Sequence, residues 1–326
     1  MIHALTRAFA EATSVVLTGP LDLDGDAVGS MLALDKALSI RWPNLPVRLL
    51  ADERVPSRYH FLPGAKTRFE VASDVEVDTK AFALVLDGDP DRLGSATPHF
   101  RGAARRGQID HHKTSDPLAV DVPFIDPAAA STTELVLSLC DHWGVPLDLD
   151  LATNIYAGLV FDTHIFRYRL TRPPTLRAAA RLMETGIDHA MIVERVLLDQ
   201  PLHKVRLRAR ILEGLKIELG GRLAWAKLTT AEMRGAETGG LVDDLVFIEG
   251  VEVGVLLMEK GAHRVKLSLR SRGGVDCALV AQSLNEQGGG HARAAGASVE
   301  GSIDEVLARV LSAVRSRLPQ PGLTTQ

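Results

Sequence analysis

The apolar runs SVVLTG (14–19), VRLL (47–50) and FALVL (82–86), with the weaker strand GQID (107–110), alternate with segments of helical period, and this alternation restricts the fold more than any other feature. Helical spacing of apolar residues follows at 26–40, 131–143 and 148–160. Short runs apolar on both faces must be covered on both faces, so the pattern predicts a parallel sheet with helices on either side. Ligands bind such sheets beyond the carboxyl ends of the strands. Candidate chemistry falls there: Asp24 and Asp26 after the first run, Asp87 after FALVL, Asp110, His111 and His112 at the end of GQID, and Asp162 after YAGLVF. Four strand ends are thus expected to deliver carboxylates and imidazoles to one rim.

The 326 residues suffice for about two domains. Residues 1–192 read as the first, 193–218 as a helical connection within a helical stretch at 173–217, and 219–318 as a smaller α+β domain. The last contains RLAWAKLT (222–229), then VEVGVLLMEK and RVKLSLRS as alternating strands, then helices at 276–284 and 303–317. The tail 319–326 is expected to be disordered. With a net charge of −4 and only 5% aromatics, neither a general nucleic-acid coat nor a long stacking platform is expected. Two distant cysteines form neither a disulfide framework nor a zinc motif, which points to the cytoplasm. No run approaches a membrane span.

DGD (24–26) sets two carboxylates around a glycine, and DHH (110–112) adds two imidazoles. Hard divalent cations take oxygen ligands, and imidazole adds affinity for manganese-like or zinc-like ions. Asp24, Asp26, Asp87, His111 and Asp162 supply the inventory for two ions that share one carboxylate. Near the far end, QGGGHARAAG (287–296) offers consecutive backbone N–H groups that can cradle a phosphate, and SLRS (268–271) places Arg270 beside Ser271 as a phosphate clamp.

Together DGDAVGS, VLDGDPDRLG, IDHHKT, YAGLVFDTHIFRYRLTRPPTLRAAARLMETG, SLRS and GGGHARAAG, in this order, resemble the DHH/DHHA1 phosphoesterases, in the nanoRNase and pAp phosphatase branch. The resemblance covers nearly the whole chain. It implies an N-terminal DHH domain, a C-terminal DHHA1 domain, an active site in the cleft between them, and two divalent ions, manganese first. By that resemblance Asp24 ligates one ion, Asp26, His111 and Asp162 the other, and Asp87 bridges them. His112 touches the scissile phosphate. Arg270, Ser271, Gly289, Gly290 and His291 hold the substrate, with Arg167 reaching the same cleft. A homodimer is expected on the same ground.

The family's first motif usually carries a histidine where this chain has Pro20, and a Thr-Gly pair where it has Thr163-His164. Asp22 or His164 is the candidate replacement ligand. Three readings follow. The first is an exonuclease that cuts very short oligonucleotides to mononucleotides, with pAp phosphatase activity and no action on long duplexes. The second is a phosphodiesterase for cyclic dinucleotides or their linear products. The third is a nucleotide-binding regulator whose catalysis the Pro20 change has impaired.

Overall fold

The computed structural model describes residues 1–233, 238–261 and 263–318, in two compact units, Met1–Asp199 and Gln200–Gln326. The tail 319–326, expected to be disordered, lies outside the described residues.

The first unit runs α1 (Ile2–Glu11), β1 (Val15–Thr18), α2 (Gly25–Arg41), β2 (Val47–Ala51), β3 (Phe69–Val71), β4 (Phe82–Leu86), α3 (Thr97–Gly102), β5 (Arg105–Asp110), β6 (Val122–Ile125), α4 (Thr132–Trp143), α5 (Leu149–Thr163), α6 (Pro173–Met183) and α7 (His189–Val193). Its sheet has the order β3-β2-β1-β4-β5-β6 and every pairing is parallel. Alternate strand residues enter two different cores. Val15, Leu17, Leu84 and Leu86 join Phe9 of α1 and the buried residues of α2, α4 and α5. Val16, Leu50, Ala83 and Val85 join Phe100 of α3 on the opposite face. That double burial is why these strands read as continuous apolar runs. From β1 the chain proceeds outward to β2, and from β4 it proceeds the other way to β5. The order therefore reverses between β1 and β4, where a doubly wound sheet opens its crevice.

The helices over that crevice are drawn close by glycine. A Cβ at Gly29 of α2 would lie 2.6 Å from the Asn154 carbonyl oxygen of α5. A Cβ at Gly25 would lie 2.8 Å from the Phe161 ring. Only hydrogen at these positions lets α2 and α5 approach so nearly.

The second unit contains α8 (Leu202–Gly214), β7 (Lys216–Glu218), β8 (Leu223–Leu228), α9 (Thr230–Met233), α10 (Asp243–Val246), β9 (Val253–Glu259), β10 (Arg264–Ser271), α11 (Cys277–Leu284), β11 (Gly289–His291), β12 (Ala294–Glu300) and α12 (Ile303–Arg315). Its sheet order is β11-β12-β10-β9-β8-β7. Among the described residues only β8 and β9 run parallel. The expected alternation holds in β10 but not in β9, which is buried from Val253 to Met258. Val255 and Leu257 enter one core while Leu256 and Met258 enter another, so this central strand has no solvent face. Among the described residues no helix is long and apolar enough to cross a membrane.

Candidate active site

Asp24 and Asp26 occupy the N-terminal turn of α2 and not a free loop. Asp24 is the N-cap, and its Oδ1 accepts the N–H groups of Asp26 and Ala27, both at 3.0 Å. Asp26, fully buried, turns to the start of a different helix. Its Oδ2 accepts the Thr132 N–H at 2.5 Å and its Oδ1 the Thr133 N–H at 3.0 Å. Two unpaired amides at a helix N-terminus thus hold this carboxylate. Ser131 starts α4 by accepting the Glu134 N–H, and Thr132 donates its hydroxyl to Asp87 Oδ1 at 3.0 Å.

Asp87 leaves β4 in the left-handed region, at φ 58°. A non-glycine residue there is strained by about 1–2 kcal/mol, and such strain gathers at functional sites. Asp110 ends β5 and organises the two histidines. Its Oδ1 accepts the His111 N–H at 2.8 Å, the His112 N–H at 3.2 Å and the His112 ring Nδ1 at 2.7 Å. Its Oδ2 is gripped by the Ser115 hydroxyl and by Gln108 Nε2 at 3.1 Å. Gln108 also donates to the Gly88 carbonyl at 2.9 Å, which ties the end of β4 to the end of β5.

Asp162 corrects the strand-end expectation. It lies in the last turn of helix α5, because YAGLVF continues the helix begun at Leu149. Helix and strand ends meet all the same. Asp26, Asp87, His111 and Asp162 each place a ligand atom within 4.8 Å of the others. His111 Nε2 is 2.8 Å from Asp162 Oδ2 and 3.6 Å from Asp87 Oδ1. A second, overlapping group joins Asp87, His111 and His112.

The electrostatics of this cluster are those of crowded acids. Burial, then the charges of Asp26 and Asp24, hold the Asp87 carboxyl well above its usual range. Burial and Asp26 push Asp162 up to about 7. Burial likewise raises Asp24. Burial disfavours the His111 cation, but the Asp162 carboxylate outweighs it and pushes the imidazole up to about 9. His112 is raised against its own burial, chiefly by Asp110, and Asp110 is lowered against its burial, chiefly by His112. The buried acids thus demand positive charge, which a proton on His111 supplies only in part.

A divalent cation fits this donor set better. His111 Nδ1 is within 3.4 Å of the Ala129 carbonyl, which assigns it the proton and leaves the Nε2 lone pair facing Asp162 and Asp87. Nε2 is buried and lies against the Asp162 carboxylate. Three carboxylates and one imidazole converging in this way are ligands for a hard-to-borderline divalent ion.

The remaining expected residues stand as follows. Asp22 is exposed and belongs to neither group. His164 caps α5 at φ 49° and its ring stacks on Tyr168 at 5.3 Å, so it too lies outside both groups. It opens a left-handed turn with Ile165 and Phe166, pinned by the Thr163 hydroxyl accepting the Phe166 N–H at 3.0 Å. Arg167 is exposed just beyond that turn. In the second unit Arg270 Nε pairs with Asp243 at 2.6 Å. Ser271 Oγ accepts the Gly273 N–H at 3.0 Å. Gly289, Gly290 and His291 form β11, the edge strand beside β12. Gly290 is required there: its φ is 135°, and a Cβ would meet the Ala294 carbonyl at 2.5 Å. Sequence reasoning missed Gln108, Ser115, Thr132, Thr133 and Gly158. Only the helix-start pattern STTE signalled any of them.

Comparison with known proteins places these observations in a family. A DHHA1 domain model matches residues 220–318. The chain is 35% identical to the bifunctional oligoribonuclease and PAP phosphatase NrnA of Thermus thermophilus, over 97% of this chain and 95% of that protein. It is 27% identical to the cyclic-di-AMP phosphodiesterase GdpP of Geobacillus thermodenitrificans, over 89% of this chain but 45% of that protein. An exopolyphosphatase-related protein from Bacteroides fragilis has the same fold, with a TM-score of 0.85 at 24% identity over 97% of this chain and 95% of that one.

Proposed function

The chain belongs to the DHH/DHHA1 phosphoesterases, in their oligoribonuclease and pAp phosphatase branch, and from that premise we propose that it hydrolyses very short RNA oligonucleotides to mononucleotides and removes phosphate from pAp. The observation that carries the reading is the convergence of Asp26, Asp87 and Asp162 on the buried Nε2 of His111. These residues, with Asp24, would hold two divalent ions; the oxygen-rich set suits manganese, and its imidazole also admits cobalt, iron or zinc. Bound there, such ions polarise a phosphoryl oxygen and acidify a water.

The chain's own groups do the rest. Asp110 fixes the His112 ring through Nδ1, which makes Nε2 the nitrogen that hydrogen-bonds a phosphoryl oxygen. The Asp110 charge favours the His112 cation, which would stabilise the negative charge that grows on that oxygen. The leaving group is a ribose 3′-oxygen in a dinucleotide. Arg270, Ser271, Gly289, Gly290 and His291 would hold a substrate phosphate, with Arg270 exchanging its Asp243 partner for the phosphate. Gripping a few phosphates in this way lets a protein of net charge −4 act on nucleic acid. Two free, buried cysteines fit a cytoplasmic protein.

The similarity to GdpP favours a second reading, a cyclic-dinucleotide phosphodiesterase. One assay separates them. End-labelled RNAs from dinucleotide to 24-mer, pAp, cyclic di-AMP and cyclic di-GMP are supplied to the Mn²⁺-loaded protein. Loss of the shortest RNAs first is expected. Cleavage of a cyclic dinucleotide alone would replace this reading with the second, and binding without turnover would make the chain a regulator.

A further inference from the structure

The donors that converge are not divided evenly between two ion positions. Asp26, Asp87, His111 and Asp162 form one tight group of three carboxylates and an imidazole. A second position that shares Asp87 has far less to draw on. Asp24 spends Oδ1 on the amides of Asp26 and Ala27 and has one carboxylate oxygen left. His112 Nδ1 lies 3.8 Å from Asp87 Oδ1, but Asp110 already holds that nitrogen at 2.7 Å. The chain segment against Asp87-Gly88 is Pro20: a Cβ built on Gly88 would meet Pro20 Cβ at 3.0 Å and Cδ at 3.1 Å. A proline ring carries no donor. Among the described residues, Asp24 joins no tight group of potential ligands here, and neither do Asp22 and His164.

A cation with two protein ligands keeps most of its water and is weakly retained, whereas one with four is held by the protein itself. Resting on the metal-dependent reading above, we infer that the centre fills in order. One divalent ion resides at Asp26, Asp87, His111 and Asp162 in the substrate-free protein. A second is retained at Asp24 and Asp87 only when phosphate oxygens of the substrate supply further ligands. Linkage makes the effect reciprocal: phosphate tightens the second ion, and the second ion tightens phosphate. The substrate thereby completes the site that acts on it, and the Pro20 substitution sets the order of filling and does not abolish activity.

The test counts ions without measuring turnover. Metal-stripped protein is titrated with Mn²⁺, and free ion is followed by its paramagnetic resonance signal, with and without inorganic phosphate. The wild type is expected to hold one Mn²⁺ per chain alone and two with phosphate. Pro20→His, which sets an imidazole beside Asp87, is expected to tighten the second ion at least about tenfold without phosphate, the scale on which metal sites respond to one supporting group. Two ions of similar affinity in the phosphate-free wild type would overturn the inference, as would a stoichiometry of one that phosphate leaves unchanged. A folded Pro20→His protein identical to wild type would overturn the role given to Pro20. If the ion counts behave as expected but no short RNA is hydrolysed, the substrate reading fails and ordered filling stands.

Discussion

Gly158 sits in the middle of α5, where substitution by alanine would ordinarily stabilise a helix by about 1 kcal/mol. Here the opposite is expected. A Cβ at Gly158 would stand 2.5 Å from Thr133 Cγ2, 2.8 Å from Thr133 Oγ1, and closer still to Asp26 Oδ1. None of these can withdraw cheaply. Thr133 belongs to the first turn of α4, and Asp26 is bound to two amides of that turn. Overpacking a tight core costs roughly 1–3 kcal/mol. Set against the propensity gain, Gly158→Ala should lose up to about 2 kcal/mol, or very roughly 4–8 °C in Tm for a unit of this size. The larger effect falls on the metal. The methyl displaces Asp26, and Mn²⁺ affinity should fall about 10–100-fold, as when a ligand loses its support. Gly214, at the end of α8, has nothing within 4 Å of its added Cβ, so Gly214→Ala serves as the control and should be neutral or mildly stabilising. Thermal unfolding of the metal-free variants, followed by Mn²⁺ titration, reads both effects. A Gly158→Ala protein more stable than wild type and unchanged in metal affinity would refute the account of how α2, α4 and α5 close on Asp26.

Other consequences can be measured independently. Asp162, raised to about 7, is favoured in its protonated form by the fold, so metal-free protein should lose stability as pH rises from about 4 to 7. His111, raised to about 9, favours its cation, and that contribution is lost as pH rises from about 6.5 to 9. Both act in the same direction, and saturating Mn²⁺ should flatten the dependence; a metal-free Tm that climbs from pH 5 to 8 would contradict this. Asp110→Asn removes the charge that orients His112 and should lower kcat about 10–100-fold with circular dichroism unchanged. Arg270→Ala should raise KM for a dinucleotide more than it lowers kcat, and steady-state kinetics that show only a kcat loss would remove Arg270 from substrate binding.

How much of this was legible in the sequence depended on distance along the chain. Strands β1 and β4 announce themselves because both faces are buried, so each is a continuous apolar run, whereas β2, with Arg48, and β5, with two arginines, show only short apolar or weak signals. The edge strands β3 and β6 do not announce themselves, being three and four residues long and half covered. β9 is expected from its sequence to alternate, and only its two neighbours and the cores on either face explain its continuous burial. The acids that converge were legible as residues following apolar runs. Their supports were not. Asp26 and Thr132 are 106 positions apart, and no local pattern marks threonine amides as a carboxylate's partners. Asp162 was placed on the right rim for the wrong reason, since a helix end and a strand end look alike when both follow six apolar residues.

If the carboxylate–imidazole cluster binds divalent metal, hydrolysis of very short RNA depends on it. The most direct measurement is the initial rate of RNA dinucleotide hydrolysis by wild type and Asp162→Asn, each chelated and then reloaded with Mn²⁺. Wild type should be inactive when chelated and recover fully on reloading. Asp162→Asn should stay at least about a hundredfold slower at the same Mn²⁺ concentration. Undiminished hydrolysis by chelated wild type, or by the reloaded variant, would contradict the account.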